Sequence, residues 1–262
     1  MTHQPLILIT NDDGVHAQGL LSLFQGLKEV GRPVVIAPDR DNSAASHSLT
    51  MNRPLSVKKI DEDIFAIDGT PADCITLGLG KLLSTKPDIV VSGINPGANL
   101  GHDISYSGTV SAAREGVMRG VPSMALSMAG EPPFLYETAV SFAQKMARSI
   151  LANGIPHDCL LNINVPNLPL NKIKGTRLTH QGTRVYADAI KEISDPWGRT
   201  RYWIGGGTPS QDTSEESDSN AILANQISIT PIHLDLTHYK ALELFKKKWR
   251  NLNPCEDVDQ QD

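Results

Sequence analysis

Apolar residues in the first half of the chain fall into short runs separated by helical patterns. Leu6–Thr10, Pro33–Ala37, Asp88–Ser92 and Val121–Met128 are strand-like runs. Such segments, bounded by Gly, Pro or Asx turns, predict strands buried on both faces of a parallel sheet. Between the first two, Leu20, Leu21, Phe24, Leu27 and Val30 recur at helical spacing, and Gly31 can stop the helix. Asp73–Leu83 and Thr109–Arg119 also read as helices. Leu49–Ile67, rich in turns and β-branched residues, predicts short strands or a hairpin. The alternation predicts a doubly wound, three-layer α/β fold with a mainly parallel sheet.

The second half opens with a long amphipathic helix pattern, Tyr136–Asn153, closed by Asn153-Gly154. Leu160–Val165 and Ile227–Thr230 read as further strands. Arg184–Ser194 and Thr200–Ile204 are extended runs around Asp195-Pro196-Trp197-Gly198-Arg199, a hairpin signal. It predicts either an arm that pairs subunits or a plain surface hairpin. Thr208–Asn220 is polar and acidic and reads as a mobile loop. Tyr239–Leu252 reads as a terminal helix, with Lys246, Lys247, Lys248 and Arg250 suited to its dipole, and the tail after Pro254 as frayed. These readings give one α/β domain over residues 1–262, with about 175–262 forming arm, loop and terminal helix.

A net charge of -5 argues against nucleic acid or an anionic membrane as the main partner. Cys74, Cys159 and Cys255 are far apart and form no CxxC pair, which disfavours a zinc site or a disulfide framework and fits a reducing cytoplasm. Met1-Thr2-His3-Gln4-Pro5 lacks the pattern of a signal peptide, and no apolar run has membrane-spanning length.

Candidate chemistry gathers at strand ends, where ligands bind in open α/β sheets. Asn11-Asp12-Asp13-Gly14 follows the first strand, Asp39-Arg40-Asp41-Asn42-Ser43 the second, and Gly93-Ile94-Asn95-Pro96-Gly97-Ala98-Asn99 the run at Asp88–Ser92. Asp12, Asp13, a Ser or Asp of the second loop, and Asn95 offer oxygen ligands that suit Mg²⁺, Mn²⁺ or Ca²⁺. The competing reading of Asn11–Gly14 is an Asx turn that carries two acids. Tyr106-Ser107-Gly108-Thr109 runs into a helix. Ser107 or Thr109 can cap it, and the free N–H groups of its first turn can bind phosphate, with Gly108 admitting the anion. His16 and His47 lie near these loops, where they can contact substrate or make only local hydrogen bonds. The chain has no HExxH, GxSxG or Walker motif.

Five stretches, several of them among these, together resemble the SurE family of stationary-phase survival nucleotidases. They are Ile9–Ala17, Ala37–Arg40, Asp68-Gly69-Thr70-Pro71, Val91–Asn95 and Tyr106–Val110. Leu161–Pro166 and Ser228–Pro231 are also similar to family sequence, and the match runs from about residue 6 to about 240. The resemblance implies a metal-dependent phosphatase of nucleoside 5′-monophosphates, and often 3′-monophosphates, on a Rossmann-like sheet. It implies a homodimer or homotetramer built partly by exchanged C-terminal segments. The family's metal ligands fall on Asp12, Asp13, Ser43 and Asn95, for one Mg²⁺ or Mn²⁺ per subunit, with Asp12 or Asp13 as a possible base. Its phosphate and substrate contacts fall on Ser107, Gly108 and Thr109, with Asn11 and Asn99 beside them. In the second loop, Asn42 stands where the family has a basic residue and Ala44 where it has Gly. An aspartyl-phosphate phosphatase is disfavoured, because the residue two after Asp12 is Gly14. A non-catalytic nucleotide-binding stress-response protein is the alternative on the same fold.

Overall fold

The apolar runs become strands of one nine-stranded sheet in the computed structural model, which describes residues 4–187, 190–205, 207–209, 212 and 214–249. The strands are β1 (Leu6–Thr10), β2 (Arg32–Pro38), β3 (Val57–Asp61), β4 (Ile64–Ile67), β5 (Ile89–Pro96), β6 (Ser123–Ala129), β7 (Cys159–Pro166), β8 (Thr176–Leu178), β9 (Tyr186–Ala187), β10 (Ile190–Ser194), β11 (Thr200–Ile204), β12 (Thr208–Pro209) and β13 (Ile227–His233). The helices are α1 (Gln18–Leu27), α2 (Pro71–Leu77), α3 (Gly108–Met118), α4 (Tyr136–Asn153), α5 (Asp218–Leu223) and α6 (Tyr239–Lys248). The large sheet has the order β3-β4-β2-β1-β5-β6-β7-β13-β8. Within it, β3 is antiparallel to β4 and β13 to β7; the other described pairings are parallel.

Side chains alternate faces along a strand, and both faces of β1 are covered. Ile7 and Ile9 join Leu20, Leu23, Phe24 and Leu27 of α1 and Phe142 of α4. Leu8 joins Ile36, Ile75 of α2 and Ala112 of α3 on the other side. The result is three layers, helix on sheet on helix. Each fully buried Leu or Ile contributes about 1.5–3 kcal/mol.

Several boundaries and one role differ from expectation. Leu23 lies on the core stripe of α1, while Leu21 is only half-buried. The 20-23-24-27 spacing is the better fit to 3.6 residues per turn. Helix α2 ends at Leu77 and passes into a π-helical turn, Gly78–Leu82. β5 does not stop at Ser92. Its register against β6 shifts between Gly93 and Asn95, and Gly93 has φ +139°. A Cβ there would lie 2.3 Å from the Leu126 carbonyl oxygen, so glycine alone lets the bulged strand continue to Asn95. Among the described residues of the run Arg184–Ser194, Ile190–Ser194 pairs with β11, whereas Tyr186–Ala187 pairs with Thr208–Pro209 instead.

The polar stretch Thr208–Asn220 is not simply a solvated loop. Ser217 and Asp218 are buried, and Asp218 accepts hydrogen bonds from Gly101 N, Gly182 N and Ser219 N. Its carboxylate satisfies backbone donors that would otherwise be buried without partners, which overrides the composition signal. Gln211, Arg250, Cys255 and the tail after Pro254 lie outside the described residues, as does the end of the predicted helix Tyr239–Leu252. Among the described residues no helix is long and apolar enough to cross a membrane.

Candidate active site

The chain runs outward from β1 through β2 to β4, then returns to lay β5 on the other side of β1. The gap beyond the carboxyl ends of β1 and β5 is therefore the topological switch point, the usual ligand crevice of this architecture. An open cavity of about 310 Å³ lies there, lined by Asp12, Asp13, Ser43, Asn95, Asn99 and Ser107 together with Ala44, Pro96, Asp103 and Tyr106.

The Asx-turn reading of the first loop and the two-acid reading hold together. Asn11 is fully buried; its Nδ2 donates to Gly14 O at 3.0 Å and its Oδ1 accepts from Gly14 N at 3.2 Å. Asn11 thus lies behind the turn and does not line the cavity. Gly14, at φ +100°, packs on the Arg40 backbone of the second loop, and Asn42 N donates to Asp12 O at 2.7 Å. The turn frees Asp12 and Asp13 to face the cavity together.

Ser107 is the N-cap of α3, its Oγ accepting from Val110 N at 3.1 Å. Thr109 Oγ1 donates to Asp12 Oδ1. Thr109 is therefore engaged with the carboxylate and lies behind the cavity wall. Gly108 matters for a reason its sequence context does not reveal. A Cβ on it would lie 2.7 Å from Asp12 Cβ and 2.9 Å from Asp12 Oδ2. The glycine admits the carboxylate to the first turn of the helix.

Ser43 is exposed; its N–H and Oγ both bond to Asp41 Oδ1, at 2.7 and 2.6 Å. Asn95 Nδ2 donates to Gly97 O at 2.8 Å. Asn99 is buried and anchored from below. Its backbone N donates to Asn164 Oδ1, its O accepts from Asn162 and Asn164 Nδ2, and its Nδ2 donates to Ser127 Oγ. Ala44 sits at φ +58°, in the left-handed region that favours glycine.

The acids are electrostatically uncomfortable. Burial, then Asp12, then Asp41 raise the Asp13 carboxyl to about 7. Burial raises Asp12 as well, against the lowering effect of the Thr109 hydroxyl. Asp13 Oδ2 is buried and has no hydrogen-bond partner among the described residues. A hard cation is the group that would relieve this, and the surrounding donors are all oxygens. Among the described residues no three His, Cys, Asp or Glu side chains are grouped to hold a metal, so two carboxylates must be supplemented by hydroxyl and amide oxygens.

Of the two nearby histidines, His16 is exposed and outside the cavity lining, while His47 bonds Glu115. Sequence reasoning missed Asp103 and Tyr106 as cavity residues. Asp103 lies on a 3₁₀ turn, Gly101–Ser105, held by Arg184 at 2.8 Å. No local pattern marks a residue whose position depends on a partner 81 positions away.

Fold and cavity define a Rossmann-like α/β protein with an oxygen-donor centre at its switch point, next to a helix N-terminus. The profile of the family "Survival protein SurE" matches residues 7–188, and the chain belongs to that family. It is similar to "5'-nucleotidase SurE" of Geobacter sulfurreducens, 48% identical over 250 residues that cover 95% of each chain. Its similarity to the Legionella pneumophila protein of the same name is 48% over 237 residues, 90% of this chain and 94% of the other. The crystal structure of the Sure protein from Aquifex aeolicus superposes with a TM-score of 0.84 at 44% identity, covering 94% of this chain and all of that one.

Proposed function

We propose that the chain is a metal-dependent 5′-nucleotidase, hydrolysing nucleoside 5′-monophosphates, and also 3′-monophosphates, to nucleoside and phosphate. The similarity to relatives named 5′-nucleotidase across nearly the whole chain supports the activity. The observation that carries the site is the buried, unpartnered Asp13 Oδ2 at the wall of an acid-lined cavity. In this reading Asp12, Asp13, Ser43 and Asn95 hold one Mg²⁺ or Mn²⁺. When bound, such an ion polarises a phosphoryl oxygen and makes water a better nucleophile.

The chain's own groups supply the rest. The backbone N–H groups at the start of α3 face the phosphate and stabilise its developing charge. Ser107 caps that turn and Asn99 borders the phosphate. Asn11 and Thr109 act through the Asp12–Asp13 turn, one by shaping it and the other by holding Asp12. Attack of water forms a new P–O bond as the ester P–O bond breaks. Asp12 or Asp13 accepts a proton from the water, and the nucleoside leaves with a proton on its oxygen.

The reading places the protein in a reducing cytoplasm, consistent with free, buried Cys74 and Cys159. It takes the protein as a homodimer or homotetramer with exchanged C-terminal segments. Exposed Trp197, Trp203 and Ile204 on the hairpin and Leu242, Phe245 and Trp249 at the terminal helix support such an assembly. The test is phosphate release from a panel of 5′- and 3′-monophosphates with Mn²⁺ or Mg²⁺, comparing wild type with Asp13→Asn. Metal-dependent release lost in the variant is expected. Full activity in excess chelator, or equal release by both proteins, contradicts the reading.

A further inference from the structure

The second loop carries Ser43 without helix or strand to hold it, and residues 39–56 form no regular element. Backbone hydrogen bonds pin it at intervals: Asn42 N to Asp12 O, Ser46 N to Tyr106 O at 3.1 Å, and Thr50 N to Asp73 Oδ1 at 3.0 Å. Ser43, Ala44 and Ala45 span the interval beside the cavity, with Ala44 and Ser46 both in the left-handed region. A non-glycine residue held there stores strain, which surrounding contacts must oppose.

One side chain of residues 42–48 is hydrogen-bonded outside the loop among the described residues. His47 Nε2 lies 2.9 Å from Glu115 Oε2 on α3. Glu115 is buried, and its other oxygen is already engaged by Arg119 Nε at 2.6 Å and Thr76 Oγ1 at 3.1 Å. Arg119 also donates to Thr76 Oγ1 at 2.9 Å. Oε1 thus fixes the carboxylate between α3 and α2, and Oε2 serves His47. Glu115 is held as the anion, with its carboxyl lowered to about 2, first by His47 and further by Arg119 and Thr76. Glu115 and Gly108 belong to the same rigid helix, seven residues and two turns apart.

We propose that His47 is a positioning residue: through Glu115 it clamps the Ser43-bearing loop to the helix whose first turn borders the cavity. Asn42 N on Asp12 O holds the loop before Ser43, and the clamp, together with Ser46 N on Tyr106 O, holds it after Ser43, so that the position of Ser43 against the Asp12–Gly108 contact depends on both ends. It rests on the metal-site reading above, and it assigns to the loop a determinant outside its ligand. Groups hydrogen-bonded directly to a ligand commonly change metal affinity about 10–100-fold, and a clamp four residues from Ser43 is expected near the lower end of that range.

The experiment compares wild type, His47→Ala and His47→Gln. Gln can place an amide N–H near the position of the imidazole Nε2. Mn²⁺ affinity is measured by calorimetry, thermal stability by Tm, and AMP hydrolysis by kcat and KM. The alanine variant is expected to bind Mn²⁺ about tenfold or more weakly, with a Tm showing it folded, and the glutamine variant to recover most of the loss. Where alanine does not fold, His47→Asn, polar but too short to reach Glu115, takes its place. Unchanged Mn²⁺ affinity in a folded variant overturns the clamp, whether or not Tm falls. Equal weakening in the alanine and glutamine variants overturns the hydrogen bond as its agent. If the wild type itself neither binds Mn²⁺ nor releases phosphate, the underlying metal-site reading fails, and that outcome is distinct from either of the others.

Discussion

Replacing Gly108 by Ala adds one methyl group at the closest approach of α3 to Asp12. The new Cβ would lie 2.7 Å from Asp12 Cβ and 2.9 Å from its Oδ2. Opening the first contact to an ordinary 3.4 Å needs about 0.7 Å of movement. Asp12 cannot absorb it freely, because Thr109 holds Oδ1 and Asn42 N holds its carbonyl. Overpacking of this kind costs about 1–3 kcal/mol. Against it stands a gain of about 0.4–1 kcal/mol from a stiffer unfolded chain, since Gly108 is helical and its backbone suits alanine. The net effect is a loss of up to about 2.5 kcal/mol, or several degrees in Tm. Activity suffers more, because a misplacement approaching 1 Å can lower kcat by about 100-fold. Gly80→Ala is the control: its Cβ would meet nothing within 4 Å, so Tm and activity are expected to hold or rise slightly. Scanning calorimetry and nucleotide hydrolysis on both variants decide the matter. A Gly108→Ala protein with wild-type kcat, KM and Mn²⁺ affinity refutes the close-approach argument.

Asp13 makes the stability of the metal-free protein pH-dependent. Its folded carboxyl is raised from 3.8 to about 7, so its contribution to stability is complete below about pH 4 and is lost as pH rises through about 7. Discounted for partial solvation, the loss is on the order of 2 kcal/mol. In chelator, wild type is expected to lose several degrees of Tm between pH 5 and pH 8 relative to Asp13→Asn, and Mn²⁺ to restore it; matching pH profiles for the two proteins would exclude this cause. Gly93→Ala is expected to cost more than about 3 kcal/mol, because its Cβ meets the Leu126 carbonyl at 2.3 Å with φ at +139°, and soluble protein of wild-type Tm would show that the bulge can relax.

Much of the fold was legible because apolar runs and turn residues act locally. Leu6–Thr10 and Tyr136–Asn153 end where their patterns end. β5 outran its prediction because a glycine that reads as a stop instead serves a bulge against β6. The acidic stretch around Asp218 misled for a different reason. Its carboxylate faces backbone donors of Gly101 and Gly182, distant in sequence, and no window of neighbouring residues contains them. At the cavity, Asp12, Asp13 and Ser107 were nameable because they follow a strand end or cap a helix, Asn95 because it falls near the end of a strand, and the choice of Ser43 and Asn99 within their loops came from the family resemblance. Their supports were not nameable. Glu115 sits mid-helix amid small residues, and its importance depends on Thr76, Arg119 and His47 converging on it. Gly108 was expected to serve an anion, yet the atom it accommodates belongs to the protein's own Asp12.

The place of β13 has a consequence for how the chain is made. It covers the outer edge of β7 and is the strand of the large sheet to which β8 is hydrogen-bonded, yet about sixty residues separate it from β7. At about 5–20 residues per second, a ribosome leaves that edge unpaired for about 3–12 seconds after β7 is complete. An exposed, apolar strand edge is a template for joining another chain. The nascent protein therefore passes through an interval in which β1 to β7 can assemble while the sheet remains open to intermolecular pairing. Ile227–His233 closes it, which gives the last strand a role in solubility during synthesis as well as in the finished sheet.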